Sequence, residues 1–416
     1  MFSPRLIPSI SYIDMATEIR LPPHMSDSVT TVSNQSWFSR IGSAFAGVII
    51  GVILFLVSFP VLIFNEGNSI AEAKTLQTGE KLVVSVPASP VDPANVGKLV
   101  HVTGTTTISG PVEDPLFGIS AEAIKLARNV EMYQWTESEK SETQKKLGGG
   151  EETVTTYTYD KKWSSTLADS SQFHSPDGHA NPPEMPIESG TFVAADVMVG
   201  DFVLPEALVD RIDNFKPLPV GSDDTKNLSA ELEDLTKVTG GKFYIGQDPK
   251  QPAVGDMRVE FEVADPGPIS IIAQQNEDTF EPYSVKGLHD IYLLETSIVS
   301  APAMFETAKQ GNIFFTWLLR LVGFLMMLFG LLLIVKPLSV LADVLPFLGS
   351  LVGMGTGLMS LLVALPLTLV TIALAWLFFR PLIGLPLLVL AVVSIVLGVR
   401  ALRRKSAAKA AIAPAA

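Results

Sequence analysis

Residues 41–64 read IGSAFAGVIIGVILFLVSFPVLIF, 24 consecutive positions without a charge. A helix rises about 1.5 Å per residue, so the run can cross a hydrocarbon core of about 30 Å with some tilt. Forty residues precede it and its apolar stretch is too long for a cleavable signal, so it reads as an uncleaved anchor. Three more apolar regions follow. Residues 313–335 carry a single charge, Arg320; residues 344–379 run for 36 positions; residues 381–399 end against Arg400, Arg403, Arg404, Lys405 and Lys409.

Positive flanks are retained on the cytoplasmic side. Arg40 precedes the first span, Lys336 follows the second, and the basic tail follows the last. One span within 344–379 puts all three on one face, with Arg380 as the exception. Residues 355–379 are therefore expected to cross, and residues 337–354 to form an interfacial or tilted helix. The reading is of four crossings: 41–64, 313–335, 355–379 and 381–399. Residues 1–40 are expected to be a disordered cytoplasmic tail and residues 400–416 a basic cytoplasmic one.

Residues 65–312 are too long for a connector and mixed enough in composition to fold. They hold 39 acidic and 19 basic side chains, against 4 and 11 in the rest of the chain. An acidic domain is expected outside the cytoplasm, and the basic segments suit anionic lipid headgroups. The chain as a whole has a charged fraction of 18%, a net charge of −13 and a mean hydropathy of +0.35. A basic nucleic-acid surface is excluded by that balance. With no cysteine and five histidines, disulfides, thiolate catalysis and Cys-ligated metals are excluded too.

Two-residue alternation makes this domain β-rich. In 123–135, Ile124, Leu126, Val130 and Met132 share one face. Residues 153–159 are β-branched and aromatic. Together the two stretches predict a long hairpin with a mobile, charged tip ending at Gly148-Gly149-Gly150. Residues 257–263, 268–275 and 280–284 form a second strand cluster. Helices are fewer: one from Pro205 with Leu208, Ile212 and Phe215 on one face, one capped by Ser229, and a continuation of the first span through 65–76 to Gly79. The fold class is four transmembrane α-helices plus a large β-rich α+β extracytoplasmic domain between the first and second.

Several strings carry a resemblance. Asn65-Glu66-Gly67, Glu113-Asp114-Pro115 in EDP-x-FG, VEMYQW at 130–135 with Tyr133 and Trp135, and GH-x-NP with His179, Asn181 and Pro182 stand in order. DNFK at 213–216, VGD-x-R-V at 254–259 and WLFFRP ending in Arg380 and Pro381 follow. Over residues 45 to 400 the chain resembles the transmembrane protein 43 (LUMA) family, with Phe379 where that family has Tyr. The resemblance implies four spans and a lumenal domain at the endoplasmic reticulum and inner nuclear membrane. In animals it implies nuclear-envelope organisation with partners such as emerin and lamins; in bacteria, an inner membrane with a periplasmic domain. It implies no catalytic residues, and their roles in the motifs are unassigned.

Candidate chemistry is thin. His174 and His179 flank a turn around Asp177, and i, i+5 spacing puts them off one helical face, so a loop is expected rather than a metal site. Glu66, Glu113 and Asp114 offer carboxylates without a nucleophile or phosphate loop beside them. Tyr133 and Trp135 read as packing residues, with a sugar platform as the alternative. Arg320 lies about two turns inside its span; it is expected to snorkel, or else to pair with Glu66 or Glu306. Ser43, Gly47 and Gly51, and Gly349, Gly353 and Gly357, repeat every four positions and allow close helix contact, within one bundle or between subunits of a homo-oligomer.

The function expected is a non-enzymatic scaffold for membrane or envelope proteins, in contact with membrane lipids and without a cofactor or nucleic acid. The alternatives are an enzyme or lipid-binding protein with its site in the large domain, and a transporter.

Overall fold

The computed structural model describes residues 27–228, 230–382, 385–386 and 389. Nearly all of the expected fourth span and the whole basic tail fall outside these residues, as does the expected Ser229 cap.

Among the described residues three helices are long and apolar enough to cross a membrane: α1 (Trp37–Leu82), α4 (Ala301–Ala342) and α5 (Pro346–Phe379). Their apolar stripes have no polar face to present, because lipid surrounds them rather than water. Exposed Phe45, Ile49, Ile53, Phe314, Phe315 and Leu358 are typical of their surfaces. Leu62, Met327 and Ala364, one from each helix, make the bundle core. At 46 residues α1 continues past the span to Leu82, close to the end expected at Gly79, and carries the chain into the large domain. Residues 337–354, expected as an interfacial or tilted helix, form no separate helix of their own. Instead α4 continues through Pro337 to Ala342, and α5 restarts at Pro346. The proline lacks the N–H that a continuing helix would need, yet fits a first turn.

Between α1 and α4 lies the β-rich domain. One sheet runs β1 (Asp27–Gln35), β7 (Glu151–Ser164), β6 (Lys125–Lys145), β14 (Met257–Ala264), β13 (Lys242–Ile245) and β12 (Thr236–Thr239). Two short strands, β8 (Gly190–Val193) and β11 (Lys216–Leu218), pair with β6 and β14. The other sheet runs β10 (Phe202–Val203), β9 (Met198–Val199), β3 (Leu99–Thr107), β15 (Pro268–Asn276) and β16 (Thr279–Glu281). To it are added β2 (Val84–Pro87), parallel to β3, and β19 (Leu293–Glu295). Two small ribbons, β4 (Val112–Asp114) with β5 (Ile119–Ala121) and β17 (Tyr283–Ser284) with β18 (Asp290–Ile291), complete it.

Alternate residues of both sheets fill one core, including Val102 and Ile271 from one and Leu126, Val130, Met132, Val259 and Phe261 from the other. A second cluster, Leu76, Leu99, Ile272, Ile291, Met304 and Phe305, fastens the domain to the ends of α1 and α4. Helices are shorter than the sequence pattern predicts. The first, α2, covers only Glu206–Val209, with Pro205 as its N-cap, and α3 covers Ala230–Leu235.

The hairpin differs in two ways from expectation. Its Glu- and Lys-rich segment is strand rather than loop, held by β7 on one side and by threonine pairs such as Thr143–Thr153 at 2.9 Å. Its tip is fastened, not free. Asp343, between α4 and α5, accepts from Arg40 at 2.5 Å and Lys145 at 2.7 Å, and Arg40 also reaches Glu151 at 2.7 Å. Trp37 donates to the Val340 carbonyl at 2.8 Å and Gly148 N–H to that of Val344 at 3.1 Å. Gly149, at φ +81°, lies directly under the Trp37 ring, where a side chain has no room.

Residues 27–35, expected in a disordered tail, form β1 and pair with β7 over nine positions, from Asp27↔Tyr159 to Gln35↔Glu151. The physical reason is the alternating Val and Thr of DSVTTVSNQ meeting an otherwise open strand edge. Because β1 precedes α1 and β7 follows it, a full crossing by residues 41–64 would separate the two strands. The pairing and a full crossing therefore exclude one another.

Candidate functional site

Asn65, Glu66 and Gly67 sit in α1 directly after its apolar run. They meet α4 and the last turn of α5. Glu66, 2% exposed, accepts two bonds from Arg320: Nε at 2.6 Å and Nη2 at 2.9 Å. Trp376 Nε1–H donates to the same carboxylate at 2.6 Å. The Arg320 guanidinium is 4.6 Å from the Trp317 ring centre and 5.8 Å from that of Trp376. Two aromatic faces and a bidentate carboxylate thus satisfy the cation, the environment in which a planar guanidinium is best held. Arg320 does not snorkel. It is turned inward to pair with Glu66, and Glu306 plays no part in that pairing.

The neighbours of this pair are polar as well. Asn65 Nδ2 donates to the Thr316 carbonyl at 3.1 Å, and the Thr316 hydroxyl bonds Ser69 Oγ at 2.7 Å. Gly67 is where the Phe379 ring lies on α1: a β-carbon there would stand 2.8 Å from Cζ. The NEG and WLFFRP motifs, more than 300 positions apart, are therefore two sides of one contact. Arg380 follows as the C-cap of α5, its N–H donating to the Trp376 carbonyl at 2.7 Å, and Pro381 comes directly after.

The small-residue rows divide. Gly51 makes the close crossing with α4, where a β-carbon would lie 2.8 Å from the Gly330 carbonyl oxygen; a β-carbon at Gly47 would lie 3.8 Å from Leu333, and Ser43 is exposed. Gly330 is the reciprocal position, where a β-carbon would lie 2.7 Å from the Phe55 nitrogen, and sequence spacing alone missed it. In the second row, Gly349 makes room for Asp343, Gly353 only touches Ser339, and Gly357 faces open space.

The motifs of the large domain serve its architecture. Asp114, fully buried, accepts Arg128 Nη1 with both oxygens at 2.8 and 2.7 Å and takes the Leu116 and Phe117 N–H groups at 2.9 and 3.3 Å. It closes the turn at Pro115 and sends Phe117 into the core against Phe243, 5.5 Å away. Glu113 points outward. On β6, Gln134 is buried while Tyr133 and Trp135 lie half-buried on the opposite face. Tyr133 is 5.3 Å from Trp163.

His179 stacks on Tyr159 at 3.9 Å and stands edge-on to Trp135 at 4.7 Å. Its Nδ1 is 2.8 Å from the Ser175 carbonyl and its Nε2 is 3.2 Å from Asp27 of β1. Asn181 imitates a strand neighbour, exchanging bonds with the Trp135 N–H and carbonyl at 2.8 and 2.9 Å, and Pro182 packs near Gly255. His174 instead stacks on Tyr157 at 4.1 Å. Arg128 and Trp135, which hold Asp114 and His179 respectively, are seven residues apart on β6, about 23 Å along a strand. The two candidate catalytic groups do not converge. Among the described residues no group of three or more His, Asp or Glu is placed to hold a metal.

Among the displaced titrations outside the membrane segments are those of two basic groups lowered by burial. Burial pushes the His101 imidazole below its usual range, partly offset by its bond to the Val299 carbonyl. Burial also lowers the Lys125 ammonium, with Asp210 and Asp213 opposing; its Nζ donates to the Asp210 carbonyl at 3.0 Å.

A family model described as Transmembrane protein 43 matches residues 132–381. That range includes Arg320 and Trp376 but begins after the NEG and EDP motifs. The chain is similar to Transmembrane protein 43 of Rattus norvegicus, 37% identical over 380 residues that cover 89% of this chain and 93% of the relative. The Homo sapiens protein of that name is 36% identical over 378 residues, covering 88% and 93%. A Drosophila melanogaster homologue is 29% identical over 347 residues, covering 81% and 90%. No solved structure matches.

Proposed function

This chain belongs to the transmembrane protein 43 family, and on that premise we propose that it works as a non-enzymatic membrane scaffold. Its large domain would present surfaces to membrane or envelope proteins while the bundle holds that domain at a fixed height and orientation. The observation that carries the reading is the joint at Glu66, Arg320 and Trp376. Here the charged groups nearest the membrane are spent on one another and tie three helices together. Such a joint rigidifies a platform; its groups are not poised for turnover. Asp114 and His179 support the same reading, since each is absorbed by local structure, by Arg128 and by Tyr159 respectively.

The charge division of the chain supports placing the domain outside the cytoplasm, in the lumen of the endoplasmic reticulum and nuclear envelope or in a periplasm. The test is chemical cross-linking in native membranes followed by purification of the full-length chain. Discrete, reproducible partner proteins or a homo-oligomer are expected. A strictly monomeric chain that retains nothing would refute the scaffold reading.

A further inference from the structure

Beside the charged joint, an open groove of about 650 Å³ runs along α1 and is walled by Val61, Phe64, Leu319 and Phe379, with Ala71 and His289 at its upper end. Its depth follows from the helix contacts. Asn312, just before the apolar run of α4, donates to the Ser69 carbonyl at 2.9 Å, and Thr316 bonds Ser69 as well. The hydrocarbon boundary set by α4 therefore falls beside Ser69 to Ala71. The stretch from Val61 to Ala71, about 15 Å of helical rise, lies just below it. His289 sits at the rim, its backbone N–H donating to Thr75 Oγ1 at 3.1 Å. Phe64, 74% exposed, and Leu319, 41% exposed, continue the lipid-facing surfaces of α1 and α4 into the groove. The groove is thus an extension of the membrane interface.

Its chemistry is lopsided. The walls are mostly apolar and carry flat aromatic faces, with Asn65 and Asn68 as their polar members, and no lysine or arginine is among the described lining residues. Arg320, the nearby cation, is consumed by Glu66. A phosphate would find no countercharge here, and the −20 balance of residues 65–312 disfavours an anion further. The rim offers one unmet need. Among the described residues His289 Nε2 is buried without a hydrogen-bond partner, a state that is expensive for a polar atom. A neutral amphiphile with a single hydroxyl and a rigid apolar body matches both ends.

We propose that this groove binds a sterol-class lipid. Its fused rings lie against Phe64 and Phe379, and its hydroxyl hydrogen-bonds His289 Nε2 after a small rotation of the imidazole. The bare backbone at Gly67, on which Phe379 rests, keeps the ring flat against α1 and the groove shallow enough for a planar body. This goes beyond the scaffold reading and does not depend on it.

The test uses the purified full-length chain in phosphatidylcholine vesicles containing a photoactivatable sterol, with diacylphospholipid and diacylglycerol probes in parallel. Sterol labelling within residues 61–71, at 289 or at 376–379, competed by unlabelled sterol, is expected. Ala71→Trp, which fills the upper groove, should weaken it by roughly tenfold, and His289→Leu should weaken it in the same direction. Leu358→Trp, on an exposed face of α5, should leave it unchanged. If Ala71→Trp lowers thermal stability, Phe64→Ala, which removes one exposed wall, takes its place. Labelling that is absent, not competed, indifferent to these groove variants, or matched by either diacyl probe would overturn the proposal.

Discussion

Replacing Arg320 with leucine removes the cation from the Glu66 carboxylate and leaves that group, 2% exposed, with the Trp376 N–H alone. Three bonds become one. Truncating one member of a buried pair typically costs about 3–5 kcal/mol, because the surviving charge keeps its desolvation penalty and loses its partner. Trp376→Phe deletes one bond to an ionised acceptor and should cost about 1.5–3 kcal/mol. Glu66→Leu combined with Arg320→Leu removes both charges together. Buried pairs replaced by apolar side chains of similar volume are often neutral or more stable, so the double variant should recover most of the loss. The assay is reversible unfolding of the purified chain in mixed micelles, followed by tryptophan fluorescence. A loss below about 1 kcal/mol for Arg320→Leu would be the value of an exposed pair, and would mean that Arg320 reaches the headgroups after all. A double variant as unstable as the single one would also refute the argument, by showing that the side chains act through packing alone.

Three further outcomes are expected. Cysteines at Val32 and Val154, which are register partners of β1 and β7, should bridge under mild oxidation in native membranes. Their failure to bridge would mean that α1 keeps residues 27–35 in the opposite compartment. Burial favours the neutral form of His101 in the fold, with the Val299 carbonyl 2.9 Å from Nε2 and Ser85 Oγ 3.1 Å from Nδ1. Above about pH 6.5 neither state takes up a proton there. Below it the unfolded chain protonates first, so stability should fall with pH by up to about 1.4 kcal/mol per unit until the lowered folded pKa is reached. In His101→Gln the thermal midpoint should lose that portion of its pH dependence, and an unchanged profile would assign it elsewhere. Asp114→Ala should destabilise the domain by about 3–5 kcal/mol by stranding Arg128, which is 11% exposed. Denaturant unfolding measures it, and a change under 1 kcal/mol would deny the pair its place in the β4–β5 turn.

How much was legible follows from the range of each interaction. The three described membrane helices are stated by composition within one window of sequence, because lipid asks only that a long helix be apolar. The alternation that buries Val130 and Met132 is equally local. Extended β6 was harder: residues 136–145 carry charges on both faces, and only pairing with β7 makes them strand. The motif strings marked important positions without saying why. Asp114 waits on Arg128, and Asn181 on the strand edge at Trp135, contacts that no local pattern encodes.

Sequence alone determined that this chain has apolar helices framing an acidic, β-rich domain, since hydropathy and period are properties of neighbours along the chain. Tertiary structure decided what the charges do. Glu66 finds Arg320 254 positions away and Trp376 310 positions away. It also decided that Gly330 answers Gly51, and that residues 27–35 join a sheet rather than trail from the first helix. Each of these is a choice among many partners of similar local chemistry, settled only when packing brings one of them within reach and leaves the others in lipid or water.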